Sequence, residues 1–259
     1  MQIALDGRVV VVTGAARGIG RVIAETFASE GAVTIGLDLS VPDDGGDQIH
    51  WRSVDVTQLD AVTEAVEDII IRHGRVDVLV NNAGINAEGD VDAIDPALWD
   101  RAFEVNTRGT FNTCRAVIPH MKGQSSGRII NAASFAAIVP SVGAAAYGAS
   151  KAAVVQFSRT LASELGPWGI TVNSYAPGMI PTDMNGFAEM SAEAQAERLS
   201  TLSLRRWGTA EDVAHLLCFL ASDLASYITG TLVDVSGGKL ATQAPSMAYD
   251  RPGAPLLVG

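Results

Sequence analysis

Val9-Val10-Val11-Val12 is an unbroken β-branched run, which predicts a central strand buried on both faces. It leads into Thr13-Gly14-Ala15-Ala16-Arg17-Gly18-Ile19-Gly20 and a helical stretch to about Glu30, with Gly31 as its stop. The alternation then repeats. Ala32 to Leu37 predicts a second strand ending at Asp38, and Ile49 to Val54 a third. Val76 to Val80, Gly127 to Ala133, Ile170 to Tyr175 and Thr231 to Val235 predict four more. Between them, Leu59, Val62, Ala65, Val66, Ile69 and Ile70 recur at helical spacing over Gln58 to His73. Pro96 to about His120 reads as one long helix, with Asp95 as N-cap and Pro96 at the first position. Tyr147 to about Leu165 and Ala210 to Ala221 add two further helices. Leu39 to Gln48, holding Pro42, Gly45 and Gly46, is too broken for a crossover helix and predicts a loop or one turn. Strands alternating with helices, without a repeat or a linker, predict one α/β domain over residues 1–259: a doubly wound, mostly parallel sheet with helices on both faces. Residues 183–207, polar and rich in Ala and Glu, predict a mobile helical lid. Residues 239–259, with Pro245, Pro252 and Pro255, predict an irregular tail.

Composition narrows the partners. The chain is 47% apolar and carries a net charge of −11, so it affords a large core and disfavours nucleic acid and anionic membranes. The acidic total also weighs against an acidic carrier protein as substrate donor, unless a local basic patch overrides it. Cys114 and Cys218 form no disulfide framework and no Cys-x-x-Cys, which fits a reducing cytoplasm and core thiols. No apolar run reaches a membrane span, and Met1 to Asp6 shows no leader pattern, so a cytoplasmic protein is expected. The four histidines lack ligand spacing, so no metal site is expected.

The chemistry sits at the carboxyl ends of the predicted strands, where open α/β sheets bind ligands. Gly14, Gly18 and Gly20, between a strand and a helix, let the backbone approach a pyrophosphate at the helix N-terminus. Their spacing is G-x-x-x-G-x-G. Asp38, 18 residues after Gly20, is placed to accept hydrogen bonds from ribose hydroxyls and to repel a 2′-phosphate, so NAD is expected rather than NADP. Arg17 in the loop is the feature that keeps NADP open. Asp55-Val56 is a plausible adenine contact by position. Asn81-Asn82-Ala83-Gly84 ends the fourth strand with small residues suited to close ligand approach, although the same residues make ordinary turns. Asn106 lies mid-helix against its propensity. Tyr147 and Lys151 are one turn apart on one helix face. Free tyrosine titrates near ~10. A positive charge ~5 Å away, at an effective dielectric near 20, favours the phenolate by roughly 3 kcal/mol, about two pKa units, provided it outweighs desolvation. Alone, the pair could equally be a surface contact.

In this order and spacing, Thr13-Gly14-x-x-x-Gly18-x-Gly20, Asn81-Asn82-Ala83-Gly84, Asn106, Ser134, Tyr147-x-x-x-Lys151 and Pro177-Gly178 resemble the classical short-chain dehydrogenase/reductases, over Thr13 to Gly238. The resemblance implies a Rossmann-like fold and an NAD(P)-dependent oxidoreductase acting on CH–OH groups. It implies Tyr147 as general acid/base, Lys151 as holder of the nicotinamide ribose, Ser134 as the donor polarising the substrate oxygen, and Asn106 as anchor of a proton-relay water. It further implies dinucleotide contacts by Gly14, Arg17, Gly18, Ile19, Gly20, Asp38, Asp55, Val56, Asn82, Ala83, Gly84, Pro177, Gly178, Ile180 and Thr182, the last two at the carboxamide. A homotetramer or dimer is implied as well. The expected substrate is a small polyol, sugar or other hydroxylated metabolite. The alternatives are an NADPH-dependent 3-oxoacyl thioester reductase and a dinucleotide sensor without catalysis. Phe135, Met179, Met184 and Phe187 are expected as pocket walls, with Ser141 and Asn185 as polar contacts. Arg205 and Arg206 could meet an anionic substrate, but a structural salt bridge is the favoured reading. The tail is expected near a substrate cleft.

Overall fold

A computed structural model describes residues 3–44, 46, 48–182 and 186–251. Seven strands, β1 (Val9–Thr13), β2 (Val33–Asp38), β3 (Ile49–Ser53), β4 (Val78–Asn81), β5 (Gly127–Ala132), β6 (Ile170–Pro177) and β7 (Leu232–Val235), form one sheet in the order 3-2-1-4-5-6-7. Every pairing is parallel. Strand alternation divides the core. Val10 and Val12 face a layer made by α1 (Gly18–Ser29) and, later in the chain, the helix Ala210–Ala221, with Ile23, Phe27, Val213 and Leu217 buried there. Val9 and Val11 face the opposite layer, built from α2 (Leu59–His73) and the helices Thr110–Gln124 and Ala145–Leu165, with Val62, Ile69, Val117 and Leu161 buried. A strand buried on both faces is why β1 reads as four consecutive valines.

The stretch expected as one helix from Pro96 is interrupted. It runs as α3 (Pro96–Phe103), a π-helical segment Glu104–Gly109, and α4 (Thr110–Gln124), with Pro119 inside α4. Asp95 caps α3 by accepting from the Ala97 amide, as expected. α5 (Ala145–Leu165) begins two residues before Tyr147. The expected lid holds a 3-10 turn, Phe187–Glu189, and α6 (Ala192–Ser200), followed by α7 (Ala210–Ala221). Pro181 and Thr182 lead into it, while Asp183, Met184 and Asn185 lie outside the described residues. The tail differs from expectation: Ser246–Tyr249 forms a short helix, α8. Pro252 and Pro255 lie outside the described residues. No helix among the described residues is long and apolar enough to cross a membrane.

Candidate active site

Strand order reverses between β1 and β4, so their carboxyl ends diverge and open a crevice. Thr13 ties the two sides, its Oγ1 accepting from the Asn82 and Ala83 amides at 3.1 and 3.0 Å. Asn82 Nδ2 donates to the carbonyls of Thr13 and Gly14 at 3.3 and 3.1 Å. Gly14 has φ +62, and a Cβ there would lie 2.8 Å from Ala83 Cα. The loop and the β4 turn therefore pack without side chains between them. Around Gly18 the space is open: among the described residues a Cβ would meet only the Thr182 methyl, at 4.0 Å. Arg17, exposed, is the N-cap of α1, yet no described side chain caps the helix and no acid stands in its first turn. Those first-turn amides lack a partner within their own helix and form a positive helix end. An open cradle over an uncapped N-terminus fits the phosphates of a dinucleotide.

Asp38 closes this crevice from the side. Its Oδ2 accepts from the Ala16 amide at 2.9 Å and its Oδ1 from Leu39 at 2.7 Å. A carboxylate is thus fixed between the end of β2 and the glycine loop. Asp55 instead folds onto its own turn, accepting from the Thr57 amide and hydroxyl at 2.9 and 2.8 Å. Val56 is buried, and its carbonyl accepts from Asn112 Nδ2 at 2.9 Å. Ile19 packs on the α1 layer, and Ile180 is buried in it. Pro177-Gly178 passes so close to the end of β7 that a Cβ on Gly178 would lie 2.5 Å from Ser236 Cα.

On the other side of the crevice stand Ser134, Tyr147, Lys151 and Asn106. Ser134 follows β5, with Oγ accepting from the Ala136 amide at 3.2 Å, and its hydroxyl acts on the Tyr147 phenol. Lys151 Nζ donates to the Ala132 carbonyl at 2.9 Å and lies 5.9 Å from the Tyr147 ring centroid. A methyl group placed on Gly84 would be 3.1 Å from both Lys151 Nζ and Asn106 Oδ1, so the three converge at one point. Asn106 is fully buried: Oδ1 accepts from the Ile85 amide at 2.8 Å, and Nδ2 donates to the Ile85 carbonyl and to Ser150 Oγ at 3.0 and 2.9 Å. This tertiary grip accompanies the π-helical segment around Asn106, and such segments recur at functional sites.

The electrostatics correct one expectation. The Tyr147 phenol is pushed up, because burial outweighs the lowering by the nearby Ser134 hydroxyl. Lys151 is itself lowered to about 8 by burial, with no anionic partner among the described residues to hold its charge. Desolvation acts on both members of the pair, and the pull on the phenol comes from Ser134. An upward-shifted phenol is a proton donor at neutral pH, backed by an ammonium that titrates near it.

Ser150 was not singled out by sequence, although its Oγ links the Asn106 amide to the Tyr147 carbonyl, to which it donates at 2.7 Å. A serine three residues after the tyrosine in the same helix was the available signal. Tyr175 was assigned only to a strand. Of the residues outside this cluster, Phe135 adjoins Ser134, Met179 is buried, and Phe187 stacks on Trp207 at 5.3 Å. Ser141 is exposed. Arg206 pairs with Asp212 at 2.7 Å, the structural bridge expected; Arg205 packs over the Tyr249 ring at 3.8 Å. The tail therefore rests against the base of the lid, with Tyr249 also donating to the Ser203 carbonyl at 2.6 Å.

The family model described as Enoyl-(Acyl carrier protein) reductase matches residues 14–239. Similar proteins include the 3-oxoacyl-(acyl-carrier-protein) reductase FabG of Thermotoga maritima, 38% identical over 243 residues, 90% of this chain and 98% of that protein. The FabG of Aquifex aeolicus is 36% identical over 248 residues, 92% of this chain and 99% of its own. That of Escherichia coli K12 is 38% identical over 239 residues, 90% and 97% respectively. The crystal structure of gox2181 superposes with a TM-score of 0.87 at 33% identity, over 93% of this chain and 98% of that one. A match across the whole crevice-bearing region, with relatives more than one third identical along nearly their full length, establishes that the chain belongs to the short-chain dehydrogenase/reductase family of oxidoreductases.

Proposed function

We propose that the protein is a nicotinamide-dependent carbonyl reductase whose substrate is a 3-oxoacyl thioester, reduced to the 3-hydroxyacyl form. The relatives named for that reaction support the substrate class. The observation that carries the chemistry is geometric: Lys151 Nζ lies 5.9 Å from the Tyr147 ring centroid and converges with Asn106 Oδ1 on Gly84, so the protonated phenol has an ammonium behind it as it gives up its proton. When bound, the dinucleotide supplies the hydride. Ser134 donates a hydrogen bond to the ketone oxygen and polarises it. Tyr147 gives its proton to that oxygen as negative charge develops there. Lys151, near its own titration point at about 8, is the proton reserve behind the phenol. Asn106, locked to Ile85 and Ser150, fixes the wall against which Lys151 rests. Each turnover consumes one hydride and one proton. The uncapped N-terminus of α1 and the space over Gly18 hold the phosphates, and Asp38 selects NAD(H) over NADP(H).

The second reading is NAD-dependent oxidation of a small hydroxylated metabolite, favoured by the net charge of −11, which opposes docking of an acidic carrier protein. Initial rates on acetoacetyl-coenzyme A with NADH and NADPH, set against a panel of polyols and sugars with NAD and NADP, separate the two. The thioester should give the highest kcat/KM; turnover of a polyol alone would overturn the thioester reading.

A further inference from the structure

Tyr175 stands midway along the carboxyl half of β6 and is wholly buried, at 0% exposure, in the layer of Val10, Val12, Ile130 and Val213. A hydroxyl in such a place is costly unless it is bonded. Its oxygen lies 3.1 Å from Asn82 Oδ1, just past the end of β4, the next strand but one. The other end of that amide, Nδ2, faces the carbonyls of Thr13 and Gly14. Carbonyls accept and cannot donate, so Nδ2 must face them and Oδ1 must face the phenol. The phenol is therefore the donor, and it remains one: burial and the neighbouring Tyr147 both push its titration upward. Asn82 is braced at both ends, by Tyr175 below and by the glycine-loop carbonyls above.

We propose that Tyr175 is a positioning residue for the dinucleotide site, acting through Asn82 to hold the Gly14 carbonyl and the loop after it. Phenylalanine would fill the core there equally well, so the hydroxyl's contribution is to the loop rather than to packing. Without it, Oδ1 is left unpartnered. The amide is then free to rotate or to admit water, and both loop carbonyls lose their fixed donor. The inference rests on the dinucleotide reading of the crevice proposed above, and its test does not depend on turnover.

The experiment is a double-mutant cycle with Tyr175→Phe and Asn82→Ala, read by fluorescence titration of NADH binding to the purified protein. Phenylalanine keeps the ring and removes one polar atom, so the fold survives, which an unchanged far-UV spectrum checks. Tyr175→Phe should weaken NADH binding about five- to tenfold, the worth of one buried hydrogen bond. It should leave kcat at saturating coenzyme within about twofold, because Tyr147 and Ser134 are untouched. In the Asn82→Ala background the same substitution should have no further effect. Wild-type affinity in Tyr175→Phe, or an equal loss in both backgrounds, would overturn the proposal. Wild-type protein that binds NADH but reduces no carbonyl would sink the proposed activity and leave this inference standing. Wild-type protein that binds neither dinucleotide would sink both.

Discussion

Replacing Asp38 by Asn removes one charge from the point where β2 meets the glycine loop and changes little else. The carboxylate is held by the Ala16 and Leu39 amides at 2.9 and 2.7 Å, so it cannot swing away from an anion brought beside it. Two like unit charges about 5 Å apart repel by roughly 3 kcal/mol at an effective dielectric near 20. That corresponds to about a hundredfold in affinity. The wild-type enzyme should therefore favour NADH over NADPH by about two decades in kcat/KM. In Asp38→Asn the ratio should collapse to within about tenfold, with Arg17 beside the loop assisting the phosphorylated coenzyme. Asparagine turns an amide N–H towards a backbone donor, which weakens both coenzymes alike. The ratio of the two kcat/KM values, measured on one substrate at one ionic strength, cancels that loss. A wild-type preference for NADPH, or a ratio unmoved by the substitution, would refute the role given to Asp38.

Three further predictions concern cost and space. Lys151, lowered from 10.5 to about 8, binds its proton less readily folded than unfolded, so its ionised form destabilises the fold by roughly 3 kcal/mol. That penalty is complete below pH 8 and is relieved as pH rises from 8 through 10.5. Lys151→Met should lose activity yet gain about 2 kcal/mol at neutral pH, after about 1 kcal/mol for the lost bond to Ala132, and the gain should fade on raising pH in denaturant titrations. Destabilisation at pH 7 would contradict the sign. Gly20→Ala would place a methyl 2.0 Å from the Gly14 carbonyl and 2.4 Å from Asn82 Nδ2, and should weaken NADH binding at least about tenfold by titration. Gly123→Ala, with nothing within 4 Å, should instead stabilise α4 by about 0.5–1 kcal/mol in thermal melts.

What the sequence made legible was local. Four valines announce β1 because both faces of a central parallel strand are buried, and Gly-x-x-x-Gly-x-Gly announces the turn that follows. The i, i+4 placement of Tyr147 and Lys151 follows from helix geometry alone. Its energetic sign did not, because the burial that raises the phenol and lowers the amine comes from residues distant in the chain. The π-helical segment was hidden for the same reason. Asn106 is gripped by Ile85 and Ser150, 21 and 44 residues away. Tyr175 was hidden differently: in a buried strand a tyrosine reads as core, and only the sheet order brings its hydroxyl to Asn82. The brevity of α8 left no periodicity to read, and its place against Ser203 and Arg205 depends on the path of the whole lid.

The central claim is that Tyr147 is the proton donor, and Tyr147→Phe tests it most directly. The substitution removes one hydroxyl from the Ser134 pair and touches neither the glycine loop nor Asp38. With acetoacetyl-coenzyme A and saturating NADH, kcat should fall by about a hundredfold or more, while the NADH dissociation constant stays within about twofold. Near-normal turnover in Tyr147→Phe would contradict the account.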